Sequence, residues 1–488
     1  MGRERDLRGT MKKLYPAVIP LAIGDGMNRE FETPDAGSAA PEDLVRRCFA
    51  CIDEACAPLA AELVNVRRDL HRHPETAWTE YRTAALAARE LADCGFEVRM
   101  GREACDPAAC PRSFRAEQDA AEQRRAVAEG APPDLVARMA GGLTGLWGEM
   151  GFGEGGPLVA LRFGMDANAG LSECADARHQ PAAEGFASRH DGRMHACGHD
   201  GHVAVGLGLA RVLSRLRETC GDGLRGRVRL VFQPAEEEGE GAPGMVAAGA
   251  MRHVDALFAL HIGMQAGDSG RLICGTRGFL ATTNFRIDFD GKSAHAGTAP
   301  QEGCNALLAA CTAVCQMMAI PRHGEGASRI NVGELHARET PNIIPAHAWL
   351  RGETRGATSA IDDYMMDAVR RVAEGAALMH RCAAKLSVQS HCPGATSSPE
   401  LAALVEEAAR SMNAFDDIVP EADFGASEDC SWFMNHVQEQ GGEAVYMQLG
   451  ADRPSGHHTA TFTFDESVLP RGTNLLARCI ILYLLGKK

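Results

Sequence analysis

The chain of 488 residues has no apolar run long enough to cross a membrane, which sets aside a helical membrane protein. Positive charge is not in excess. A net charge of −15 argues against nucleic acid and anionic membranes as partners, and an anionic substrate would need arginines placed locally. Internal repeats and low-complexity tracts are absent, so a repeat architecture is not expected. Lys12 to Ile23 begins like a secretion signal, but it carries Pro16 and Pro20 and ends at Gly24-Asp25 without a small-x-small cleavage site. Residues 1–42 therefore read as an N-terminal extension and the protein as cytoplasmic. Seventeen cysteines make an odd number, and a disulfide framework does not suit a chain of this length. Reduced thiols are expected. Cys48-x-x-Cys51 lacks a second pair at ligand spacing and lies on an amphipathic pattern, so core packing is its expected role.

What is present is the composition of a globular protein, 45% hydrophobic and 24% charged, in a chain too long for one ordinary core. A helical pattern runs from Pro41 through Leu44, Leu59, Leu63 and Leu70 to His73-Pro74, and a second spans about 79–94. Residues 103–140 are Ala/Arg/Glu-rich and read as helices over one edge. Leu158–Phe163 and Val228–Phe232 are compact apolar runs that suit buried strands, with helical spacing from Val203 to Leu216 between them. Such alternation predicts an α/β fold, a mixed and largely parallel sheet with helices on both faces. Between 280 and 389 the order becomes strand, helix, strand, strand, helix, strand, which predicts an inserted α+β split-βαβ, ferredoxin-like domain. The first domain is then expected in two parts, 43–279 and 390–488.

The chemistry is concentrated in His195-Ala-Cys197-Gly-His199-Asp200-Gly-His202. Thiolate and imidazole suit zinc, carboxylates widen the choice toward manganese, and Gly198 permits the tight turn between two donors. Taken alone, the segment equally fits a His-rich loop around an inert thiol. Gln233-Pro-Ala-Glu236-Glu237 directly follows an apolar strand, at the end where α/β sheets place their sites. Adjacent carboxylates there can divide ligation from proton transfer. Ala259-Leu-His261 ends another apolar run, and His457-His458 precede Phe462-Thr-Phe464. Four separate elements each present a ligand-type residue.

Together these motifs resemble the M20 metallopeptidase family, in its amidohydrolase branch. Further support comes from Gly326-Ala-Ser-Arg-Ile-Asn-Val-Gly333, Glu353-Thr-Arg-Gly-Ala-Thr358 and Gly425-Ala-Ser-Glu-Asp429, and the likeness covers roughly 44–484. The resemblance implies two divalent ions, Mn2+ or Zn2+, held by Cys197, His199, Glu237, His261 and His458, with Cys197 bridging. It implies Glu236 as general base, His295 as oxyanion contact reaching a partner chain, and Asn342 and Arg355 as contacts to a substrate carboxylate. Asp166 matches an acid that orients a ligand. The expected reaction is hydrolysis of an N-acyl amino acid, foremost p-aminobenzoyl-glutamate, by a homodimer or a heterodimer with a homologous subunit. Other N-acyl amino acids, dipeptides and a non-catalytic subunit role are the alternatives. Relatives usually carry Asp-Met-Asp-Ala-Leu where this chain has Gly164-Met-Asp166-Ala-Asn168, and Glu238 and Glu240 make the glutamate loop unusually acidic.

Overall fold

The computed structural model describes residues 41–110 and 116–486, so the extension read for 1–42 lies, but for its last two residues, outside them. The strands in chain order are β1 (Glu97–Met100), β2 (Leu146–Gly153), β3 (Leu158–Gly164), β4 (Asn168–Ala169) and β5 (Arg193–Met194). They continue with β6 (Gly226–Gln233), β7 (Ala256–Ile262), β8 (Arg271–Arg277), β9 (Ala281–Asp290) and β10 (Ser328–His336). The last four are β11 (His347–Gly356), β12 (Ala383–Cys392), β13 (Asp417–Asp423) and β14 (Glu443–Leu449).

Two compact units result. Among the described residues, the first takes those up to Thr276, Ser397–Ala422 and those from Trp432; the second takes Arg277–Thr396 and Asp423–Ser431. The second therefore runs past 280–389 at both ends and includes a short return segment. Backbone bonds explain the return, since Phe424 N–H donates to Arg277 and Leu280 N–H donates to Ala426.

In the first unit an eight-stranded sheet runs β1-β2-β6-β3-β7-β14-β8-β13. Its centre, β6-β3-β7-β14, is parallel, while β1 and β2 join antiparallel on one side and β8 pairs antiparallel with β14. All seven residues of β3 and of β7 are buried, as expected of parallel strands covered on both faces. The helix His199–Cys220 lies within this core, buried over most of its length. Gly206 and Gly208 let it approach closely: an added Cβ would stand 2.9 Å from Phe163 and Phe232, or 2.8 Å from Leu63. Helices Pro41–Cys56, Ala60–Arg72 and Val468–Leu484 pack against it. The first two are separated by the short turn Ala57–Leu59, where one continuous pattern had been expected. Cys48, Cys51 and Cys220 meet in this core as buried thiols outside any disulfide. Burial pushes Cys48 up to about 12.

The second unit has a four-stranded antiparallel sheet in the order β10-β11-β9-β12, with helices Ala306–Met318 and Ser359–Met379 against it. This is the expected ferredoxin-like order. Asn305 and Thr358 cap the two helices, each accepting a backbone N–H three residues on. Both predicted architectures are present. Among the described residues no helix is long and apolar enough to cross a membrane.

Candidate metal centre

Parallel strands deliver their carboxyl ends to one edge of a sheet, and the ligand-type residues of the first unit arrive there. Asp166 follows β3, Glu236 and Glu237 follow β6, and His261 is the penultimate residue of β7. Cys197 and His199 flank Gly198, whose φ of +92° makes the left-handed turn that opens the helix His199–Cys220. His458 also sits in the left-handed region, at φ +59°, and its N–H donates to Ala196 at 2.8 Å. That bond ties the distant 452–467 loop to the Cys197 turn.

Within the first unit, three donor sets form among the described residues. Cys197, His199 and His261 present ligand atoms within 4.8 Å of one another, as do Cys197, Glu237 and His458. The third is His199, Glu236 and Glu237. Cys197, His199 and Glu237 each belong to two sets. Cys197 Sγ lies 3.5 Å from His261 Nε2, and His458 Nε2 lies 3.3 Å from Glu237 Oε2.

The ring orientations are fixed from behind. His199 Nδ1 donates to the Asp166 carbonyl at 2.8 Å, and His261 Nδ1 donates to the Ile262 carbonyl at 2.9 Å. In the neutral ring each bond leaves Nε2 as the nitrogen with a lone pair, the tautomer a cation requires. Burial pushes His261 well below the ordinary histidine value, with His457 and His199 adding to the effect, so it is neutral. His199 Nε2 and Glu237 Oε1 are buried without a hydrogen bond. Buried polar atoms left without partners are costly, and a cation would satisfy both, so these residues fit a metal site.

Gly164 acquires a steric reason. A Cβ there would stand 3.3 Å from the His199 ring, tighter than ordinary van der Waals contact. The Asp166 carboxylate accepts from Glu236 N–H at 3.1 Å and Glu237 N–H at 2.9 Å and also lies 3.4 Å from His199 Nδ1.

The remaining members of the histidine-rich segment face elsewhere. His202 Nε2 accepts from the Ile262 N–H at 3.0 Å, steadying the end of β7. His457 bonds Arg453 and the Ile262 carbonyl, whereas its neighbour His458 meets Glu237. His195 is buried with both ring nitrogens unbonded in the chain, and burial pushes it down to about 4. Asp200 accepts from Arg67 Nε at 2.8 Å and contacts His71 Nδ1 at 2.8 Å. His71 Nε2 and His179 Nε2 both meet Glu173, at 3.0 and 2.8 Å, and Arg67 and Arg68 both reach Glu466. Despite burial, Arg67 and His71 hold the Asp200 carboxyl well below the usual range. Neither Arg67 nor His71 was found from the sequence; the only signal was their place on the polar edge of an otherwise apolar helical pattern. A separate open cavity of about 860 Å³ is lined by residues such as Cys174, His179, Arg453 and Glu466 and by none of the donors.

The second unit holds three of the sequence-read residues. His295 is exposed, and its Nδ1 accepts from the Gly297 and Thr298 N–H groups at 3.1 and 3.2 Å, which leaves the proton on Nε2. The Asn342 carbonyl accepts from Ala296 N–H at 2.9 Å, so these two residues share one loop junction. Arg355 is half-buried and grips Glu353 with two nitrogens at 3.0 Å each.

Comparison with known proteins shows the family. Residues 175–482 match the model of peptidase family M20/M25/M40. The chain is 40% identical to one of the subunits of p-aminobenzoyl-glutamate hydrolase of Escherichia coli, over 86% of this chain and 95% of that protein. It is also 40% identical to indole-3-acetyl-aspartic acid hydrolase of Enterobacter agglomerans, over 87% and 97% respectively. Among solved structures, the aminobenzoyl-glutamate utilization protein of Klebsiella pneumoniae superposes with a TM-score of 0.74 at 34% identity, covering 88% of this chain and 98% of that one.

Proposed function

Because the chain belongs to peptidase family M20/M25/M40 and is a hydrolase of linear amides, we propose that it removes an aromatic acyl group from an acidic amino acid, p-aminobenzoyl-glutamate first among them. The observation that carries this reading is the pair of donor sets sharing Cys197, with Glu236 at their border. Two divalent cations, Mn2+ or Zn2+, are the proposed occupants, and Cys197, His199, Glu237, His261 and His458 are the residues that would hold them. When bound they would supply Lewis acidity, polarising the scissile carbonyl and making a water acidic.

The chain's own part is proton handling and orientation. Glu236 lies 3.5 Å from His199 Nε2, is mostly buried, and takes the proton of the attacking water. It returns that proton to the amide nitrogen as the C–N bond breaks, so free acid and free amine leave. Asp166 fixes the backbone from which Glu236 projects. His295 Nε2–H is the proposed donor to the developing oxyanion, supplied across a dimer of identical or homologous chains. Asn342 and Arg355 are the proposed contacts of the substrate carboxylate, and Arg355 must exchange Glu353 for it. Seventeen cysteines with no disulfide among the described residues support a reducing, cytoplasmic location.

The metal-loaded full chain should be assayed against p-aminobenzoyl-glutamate, indole-3-acetyl-aspartate and acetylated amino acids. Glu236→Gln is expected to lower kcat by roughly 10²–10⁴-fold at unchanged metal content. Wild-type turnover in that variant would overturn the mechanism, and preference for acetylated substrates would overturn the aromatic-acyl assignment. The Escherichia coli relative is named as one of a hydrolase's subunits, which favours one second reading: a chain that needs a homologous partner. Inactivity of the isolated chain, restored by such a partner, would select it.

A further inference from the structure

The loop that carries Glu236 and Glu237 is gripped from outside by a residue none of the motifs contains. We propose that Glu80 is a positioning residue for turnover: its buried carboxyl holds the left-handed turn at Ala235 and thereby aims the Glu236 carboxylate. The inference rests on the reading of Glu236 as the base.

Three consecutive amides leave the end of β6, and two buried carboxyls take all three. Glu80 Oε1 accepts from Ala235 N–H at 2.8 Å, and Asp166 accepts from the N–H groups of Glu236 and Glu237. Ala235 has a φ of +52°, a conformation a residue with a Cβ rarely adopts, so something must hold it there. The turn is closed on its other side as well. Glu240 and Gly241 N–H donate to the Ala235 carbonyl at 3.1 and 3.2 Å, and a Cβ on Gly241 would fall 1.7 Å from the Pro234 carbonyl oxygen. Ala77 and Trp78 pack on Ala235 in a small apolar cluster, and Trp78 Nε1 donates to Glu240 at 2.9 Å.

Glu80 has no solvent exposure, and its orientation is set by Thr144, whose Oγ1 donates to Oε2 at 2.6 Å. Burial, with the neighbouring Asp166 carboxylate, pushes the Glu80 carboxyl up, so the neutral acid is favoured and glutamine is its isostere. What the turn needs at this position is an acceptor of side-chain length rather than a charge. Glutamine keeps that acceptor, and its amide N–H can donate to Thr144.

The test compares Glu80→Ala, Glu80→Gln and Thr144→Val in the metal-loaded full chain with p-aminobenzoyl-glutamate. Glu80→Ala is expected to lower kcat about 10–100-fold, the range for partners that orient a site's residues, with KM shifted less than about 2-fold and metal content unchanged. Glu80→Gln is expected to restore kcat to within about 2-fold of wild type, and Thr144→Val to lower it by a smaller factor than alanine does. Wild-type kcat in Glu80→Ala, equal impairment of the Gln and Ala variants, or a rise in KM at unchanged kcat would each overturn the inference. Should Glu80→Ala fail to fold, the Gln and Val variants decide: an impaired Gln variant or an unimpaired Val variant overturns it. Full turnover in Glu236→Gln would instead remove the base assignment beneath it, a distinguishable outcome.

Discussion

Two clusters of buried polar groups lie on either side of the His195–His202 segment and solve the problem of burial in opposite ways. Around Asp200, every carboxylate oxygen and guanidinium of the Arg67, His71, Glu173 and Glu466 network has a partner within the chain. Around Cys197, the rings are anchored at Nδ1, while His199 Nε2 and a Glu237 oxygen have no bond. The first arrangement is complete without a ligand and acts as framework. The second is complete only with one, so its polar atoms contribute to function rather than to the stability of the bare chain.

That contrast can be broken from either side. The largest effect is expected at the shared donor. Cys197→Ala should reduce bound metal and lower kcat/KM by more than about 100-fold, beyond what loss of an orienting partner gives. The metal-free chain's unfolding midpoint in urea should hardly move. A variant with normal metal content and activity would show that the two donor sets do not depend on Cys197. Next comes the framework. Arg67→Met leaves Asp200 and Glu466 short of a partner and should cost roughly 3–5 kcal/mol of unfolding free energy in urea. A loss well under that range would mean Arg68 and His71 carry the network alone.

The smallest effect is a pH slope at an ion-pair group that belongs to neither cluster. Despite burial, Arg193 and Arg125 hold the Glu122 carboxyl down to about 2, from an ordinary value of 4.5. A carboxylate depressed on folding stabilises fully above its unfolded value, and that contribution is lost as pH falls toward the folded one. Wild type should therefore lose more stability than Glu122→Gln between pH 4.5 and 2, measured by denaturant midpoints along that range. Parallel curves would contradict the assignment.

Most of the donor inventory was legible because chemistry and position coincide in one dimension. His261 ends an apolar run, Glu236 and Glu237 follow another, and Cys197 and His199 flank a glycine; each pattern is local. The residue pattern did not separate His458 from His457, and the resemblance alone selected His458; the fold shows its ring reaching Glu237 and the other reaching Arg453. Glu80, Arg67 and His71 gave no comparable signal, because their partners lie 155, 133 and 129 residues away. Gly164 stood out as an oddity and became intelligible only with the His199 ring beside it.

By itself, then, the sequence determined the alternation that folds into a parallel sheet with an inserted antiparallel unit, and which residue types carry the chemistry. Hydrophobic periodicity and strand-end motifs are properties of near neighbours, so they survive in one dimension. Tertiary structure alone decided which nitrogen each ring presents and which carboxyls hold the loop that bears Glu236. Those choices depend on hydrogen bonds between segments far apart in the chain, and only the packed core brings the segments together.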